Sequence, residues 1–174
     1  MELQGKLSEA VLEQLVQAQD EARRLGHGYV GTEHLVIAVA ATGGRGGEAI
    51  RAQGTSSETL RAELIVLFEA STWNRYVPDE DALSAVGVDV AEVRARAEAE
   101  FGPDALPMRV GNPALTRRLA GILEGANNYA WRKRGAPAEV DDVLAALLDD
   151  GDSVGVRILR SGGVDVAALR AVLG

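Results

Sequence analysis

The feature that most constrains this chain is that it repeats itself. Displaced by 108 residues, Leu7, Leu15, Ala18, Ala22, Arg24 and Ala38 fall on Leu115, Leu123, Ala126, Ala130, Arg132 and Ala146, six identities over 34 positions. The apolar pattern agrees where identity is lost: Val11 meets Leu119, Leu35 meets Val143, Val36 meets Leu144 and Val39 meets Leu147. A one-residue insertion moves the offset to 109, after which Arg51, Gly54, Leu60, Arg61, Ala62 and Leu64 are matched by identical residues among 15 positions. The two ends are therefore copies of one unit of about 65 residues. Each copy is too small to bury its apolar face alone, so the two are expected to share one core around a pseudo-twofold axis. The closing helix occurs a third time: Gly87–Ala95 reads GVDVAEVRA and Gly163–Ala171 reads GVDVAALRA, seven matches in nine.

Each copy reads as four helices. Ser8 precedes Val11, Leu12, Leu15, Ala18 and Ala22 at helical spacing and is expected to cap the first helix, with Gly26 and Gly28 ending it. Thr32 is expected to cap the second, with Leu35, Val36 and Val39 inward, and Gly43–Gly47 to form a loop before helices near 48–53 and 56–68. In the second copy Thr116 caps a helix burying Leu119, Ile122, Leu123, Ala126 and Ala130, followed by helices over 140–148, 153–160 and 165–173. Leu15 and Leu123 should be buried at equivalent places. No alternating strand pattern appears, so the expected fold is all-α. Its units are a first repeat over 1–70, an acidic helical linker over 71–112 and a second repeat over 113–174.

Charge separates the middle from the ends. Between Glu69 and Asp104 there are nine acids and three bases, about −6 of the formal −8. Helices near 79–86 and 90–101 are expected there, packed on the repeats through Leu83, Val86, Val90 and Val93, with Trp73 and Tyr76 pinning the linker. The net acidity argues against nucleic acid as a partner, although the first helix of the second copy carries Arg117, Arg118, Arg132, Lys133 and Arg134 against Glu124. That helix has Tyr129 and Trp131 but no fuller stacking set, and a solvated face is the commoner meaning of such charges. There is no cysteine, which excludes disulfides and fits a reducing cytoplasm. No signal peptide and no membrane-spanning stretch is read.

The run Ala22-Arg23-Arg24-Leu25-Gly26-His27-Gly28-Tyr29-Val30-Gly31-Thr32-Glu33-His34-Leu35 resembles the signature of the Clp N-terminal repeat, A-x-x-L-G-H-x-x-I-G-T-E-H-L. The glycine before each closing helix, Gly54 and Gly163, is also like that family. The chain is similar to the N-domain of ClpC-type unfoldases, occurring as a standalone protein. The resemblance implies two Clp-type repeats and a non-enzymatic domain without a cofactor. It would bind substrate or adaptor peptides, with a Clp unfoldase and cyclic peptides as further partners. It also implies pockets for phosphoarginine, to which Thr32 and Glu33 contribute in the first copy and, by repeat symmetry, Asp141 in the second. The second copy departs from the pattern: Gly-Thr-Glu-His becomes Glu139-Val140-Asp141-Asp142, and Leu-Gly-His becomes Lys133-Arg134-Gly135. Repeat-opening aromatics are replaced by Leu7 and Leu115, and the linker is longer and more acidic than in ClpC.

Other chemistries have less support. No Walker A motif is present, and the Gly43–Gly47 run lacks its lysine and preceding strand. His27 and His34 are too few to hold a metal, with only Glu33 beside them, so no metal site is expected. No G-x-S-x-G nucleophile elbow occurs. The histidines read first as structural, His27 closing one helix and His34 packing at the start of the next. The competing functional reading is a small hydrolase or regulator using His34 and Glu33.

Overall fold

A computed structural model describes residues 7–42, 44–70 and 113–174, with isolated positions 96 and 99. The expectations for 79–101 and for Trp73 and Tyr76 lie outside the described residues. The first repeat holds α1 (Glu9–Arg24), α2 (Thr32–Thr42), α3 (Gly44–Ala52) and α4 (Ser57–Ala70). The second holds α5 (Arg117–Arg134), α6 (Val140–Asp149), α7 (Val154–Ser161) and α8 (Val166–Leu173). Among the described residues the fold is all-α apart from two two-residue strands, β1 (Tyr29–Val30) and β2 (Ala114–Leu115).

Local chemistry places most helix ends where the sequence puts them. Ser8 Oγ accepts from Val11 N–H at 3.3 Å and Thr116 Oγ1 from Leu119 N–H at 3.2 Å, each satisfying a donor that the first turn leaves open. Gly26 and Gly135 follow the ends of α1 and α5 with φ of 72° and 66°, a left-handed turn that costs glycine nothing.

The strands are a difference from the sequence reading, and they express the pseudo-twofold. Val30 pairs with Leu115, and an isolated bridge pairs Leu7 with Ala138, both parallel. Under the 108-residue offset Leu7 becomes Leu115 and Ala138 becomes Val30, so each contact is the image of the other. The backbone bonds follow suit, Thr116 N–H donating to the Val30 carbonyl at 2.9 Å and Ser8 N–H to the Ala138 carbonyl at 3.4 Å. Pairs this short carry no alternation for a sequence to display.

One continuous core draws on both copies, from Val11, Leu35 and Leu64 to Leu119, Leu144 and Leu169. Residues 32–40 of α2 are all buried, as an all-round apolar helix requires. Each second helix crosses the third helix of the other repeat, α2 on α7 and α6 on α3. Glycine permits both crossings. A Cβ on Gly155 would lie 2.8 Å from the Thr32 carbonyl oxygen and 3.0 Å from Val36 Cγ2, and one on Gly46 would lie 2.5 Å from Leu144 Cδ2. This corrects the expected glycine loop: α3 begins at Gly44, because Gly46 and Gly47 serve close helix contacts, Gly47 against the Val39 carbonyl.

A second correction concerns Leu15. Leu123 is fully buried, whereas Leu15 is only partly so. Gln14 stands where the second copy has Ile122, and its side-chain oxygen accepts from the Thr42 hydroxyl at 3.1 Å, so α1 turns position 14 inward.

Candidate functional site

The segment from His27 to His34 links α1 to α2 and builds a polar cluster inside the first repeat. Gly31 N–H donates to His34 Nδ1 at 2.9 Å, and His34 Nε2 lies 2.8 Å from His27 Nδ1. An amide can only donate, so His34 Nδ1 is the acceptor, its proton sits on Nε2, and that proton is given to His27. Burial holds His34 down to about 3 and lowers His27. The 3.5 Å approach of His34 Nδ1 to Glu33 Oε1 is therefore not an ion pair: the ring is neutral and the lone pair there is already engaged. His27 stacks on Tyr29 with 5.5 Å between centroids and meets Phe68 edge-on at 5.2 Å.

His34 thus acts structurally. Asp142, its counterpart, accepts from Glu139 N–H at 2.8 Å, as His34 accepts from Gly31. Both reach back to the residue before the helix, which is half of a capping box. No nitrogen of His34 is free to take a proton from a substrate.

Thr32 is not a helix cap, contrary to expectation. It is the first residue of α2, and its hydroxyl accepts from Gly155 N–H at 3.1 Å, in the first turn of α7 across the pseudo-twofold. The image of this bond is Gly46 N–H donating to Asp141 Oδ1 at 3.3 Å. Val140 occupies the threonine's position without a hydroxyl, and the adjacent carboxylate supplies the acceptor instead.

Glu33 is buried, yet it lines a cavity of about 450 Å³ between the repeats. Its carboxylate lies over Gly31, where a Cβ would come within 2.4 Å of either oxygen. Burial raises its pKa, while its own backbone N–H, the Thr32 hydroxyl and Tyr29 hold the charge in part; Tyr29 itself is pushed up to about 12 by burial and by Glu33. Thr116, Arg118 and Arg157 supply the rest of the polar wall, and Tyr29, Leu67, Phe68 and Val154 the apolar one. Arg118 is held by Asp150 at 2.7 Å. Arg157 is exposed and has no side-chain partner among the described residues. Sequence reasoning missed Arg157, which reads as one exposed position of a short helix, and treated Arg118 only as part of a basic face.

Asp141 is not brought to this cavity. It lines another, of about 410 Å³, with Asp142 and Asp149. Each carboxylate there already has a cation: Arg45 Nε lies 3.4 Å from Asp141, Arg134 is 2.6 Å from Asp142 and Arg170 is 2.7 Å from Asp149. Among the described residues no cluster of three or more metal-ligating side chains occurs, and no helix is long and apolar enough to cross a membrane.

Comparison with known proteins agrees with this architecture. The chain is 26% identical over 88% of its length to a probable ATP-dependent Clp protease ATP-binding subunit of Chlamydia pneumoniae, of which it spans 14%. It is 24% identical over 95% of its length to the chaperone protein ClpB of Oceanobacillus iheyensis, of which it spans 16%. Half of the chain is 33% identical to the negative regulator of genetic competence ClpC/MecB of Bacillus subtilis, across 11% of that protein. The chain thus corresponds to a small part of each relative. The family model for the Clp repeat N-terminal domain matches residues 6–80, which take in the four helices of the first repeat with its Gly31-Thr32-Glu33-His34 turn.

Proposed function

We propose that the chain is a non-enzymatic binding module. It takes peptide segments of substrates, adaptors or a Clp partner, arginine-phosphorylated ones among them, in the cavity beside Thr32 and Glu33. One observation carries this reading: a desolvated carboxylate, Glu33, lines the same cavity as Thr116, Arg118 and Arg157. A phosphorylated guanidinium carries a donor-rich plane and an anionic group side by side. The carboxylate suits the first, and the arginines with the threonine hydroxyl suit the second. Tyr29, Leu67 and Phe68 would cover the aliphatic stem.

The hydrolase reading is not favoured, because His34 is fully buried and both its nitrogens are hydrogen-bonded. The lack of cysteine suits action in the cytoplasm. The test is calorimetry with a phosphoarginine peptide and its unmodified counterpart. Glu33→Gln removes the charge with little change of shape, and loss of a charged hydrogen bond of about 1.5–3 kcal/mol weakens binding roughly 10- to 150-fold. Equal affinity in wild type and Glu33→Gln, or no binding by either, removes the phosphoarginine reading.

A further inference from the structure

We infer that the chain offers one ligand site rather than two, because the second repeat has committed its carboxylate to the joint between the repeats. This rests on the function proposed above. The pseudo-twofold imposes the same mechanical need on both copies: the first turn of the third helix presents a backbone N–H, Gly155 in one and Gly46 in the other, to the start of the opposite second helix. In the first copy the Thr32 hydroxyl meets it at 3.1 Å, and Glu33 is left to face the cavity. In the second copy Val140 has no hydroxyl, so Asp141 meets it with Oδ1 at 3.3 Å. Its other oxygen lies 3.4 Å from Arg45 Nε, and Arg45 also donates to the Val172 carbonyl, which ties the guanidinium to α8.

The cationic half of the site is missing as well. Under the two offsets Arg118 corresponds to Ala10 and Arg157 to Glu48, so the image of the anion-holding wall carries two cations fewer and one carboxylate more. Arg45 stands where the first site has Val154, and it already occupies the acid that a ligand guanidinium would need. A phosphorylated arginine arriving there meets an engaged Asp141 and a repulsive Glu48. Duplication therefore produced two joints but one receptor.

Titration of the full chain with a phosphoarginine peptide, followed by calorimetry and native mass spectrometry, tests this. One peptide per chain is expected, and Glu33→Gln should weaken that single site roughly 10- to 150-fold, with no second site left at its original affinity. Asp141→Ala should keep one site with affinity within about twofold, while its thermal midpoint drops by about 3 °C through loss of the joint. Adding Val140→Thr to Asp141→Ala should restore part of that midpoint, because the hydroxyl can again meet Gly46. Two peptides per wild-type chain, a second site whose affinity Glu33→Gln leaves unchanged while the first is weakened, or binding lost in both Asp141→Ala and the Val140→Thr/Asp141→Ala double variant would overturn the inference and leave the proposed function standing. No binding by wild type at all would overturn both.

Discussion

The two helix crossings make a pair of glycine substitutions move stability in opposite directions. Gly155→Ala places a Cβ 2.8 Å from the Thr32 carbonyl oxygen and 3.0 Å from Val36 Cγ2, on a backbone whose N–H already bonds Thr32. Neither neighbour can yield easily, since one is helix backbone and the other is a fully buried side chain. Overpacking of this kind costs about 1–3 kcal/mol, offset by up to about 1 kcal/mol from replacing a helical glycine with alanine. A net loss of about 1–2 kcal/mol corresponds to a midpoint lower by about 2–8 °C in a chain of this size. Gly121→Ala is the control: it lies inside α5, and its Cβ would meet nothing within 4 Å. It gains the same propensity without a clash, so the midpoint should rise by about 2–4 °C. Circular-dichroism melts on the two variants and wild type, repeated in urea to compare slopes, measure both. A Gly155→Ala chain as stable as wild type, or shifts of the same sign in both variants, would refute the crossing geometry.

Acid should destabilise the fold through the histidine pair. Both are depressed in the folded chain, so the unfolded chain binds more protons below 6.5, and stability present above that pH is lost as pH falls from 6.5 toward about 3. The raised pKa of Glu33 acts in the opposite sense, so the histidine contribution is read in Glu33→Gln, where a melting midpoint unchanged between pH 7 and pH 5 would contradict the reading. At the alkaline end Tyr29 keeps its proton to about 12, so its contribution should disappear between pH 10 and 12, visible as phenolate absorbance appearing together with unfolding. Thr32→Val leaves the buried Gly155 N–H without an acceptor and should cost about 1–3 kcal/mol in urea unfolding, against little if the 3.1 Å bond is not formed. Arg61→Ala strips both 3.0 Å bonds from buried Glu21, leaving only Arg24, and should cost about 2 kcal/mol by the same assay; a change under about 0.5 kcal/mol would contradict a structural role.

The conditions that were legible from the residues are those set within a few positions of one another. Ser8 and Thr116 cap because a hydroxyl three residues before an apolar position can reach an orphan amide, and no distant residue is needed. The repeat was legible because two stretches must solve the same packing problem. What was hidden depends on residues far apart in sequence. Thr32 reads as a cap on local grounds, yet its partner is Gly155, and the Gly46–Asp141 bond is equally invisible until the repeats are brought together. The glycine run around residue 44 read as a loop for the same reason: glycine marks a turn locally, but here it marks a helix crossing.

Once that joint is known, the divergence of the two Gly-Thr-Glu-His positions has a physical order. Four tasks are present: a residue before the helix, an acceptor for the opposite third helix, a carboxylate, and a side chain that reaches back to bond the first residue. Gly31, Thr32, Glu33 and His34 divide them one to each. Replacing the threonine by Val140 leaves the joint unmet, and only the next residue is near enough to take it over, so the carboxylate of Asp141 is drawn to Gly46. The fourth task survives a complete change of chemistry, from imidazole in His34 to carboxylate in Asp142, because a backbone amide asks only for an acceptor. Folding constrains three of the four tasks in both copies. The remaining one, a carboxylate facing the Arg118 and Arg157 wall, is met only in the first, which is why the functional reading rests on Glu33 and not on its counterpart.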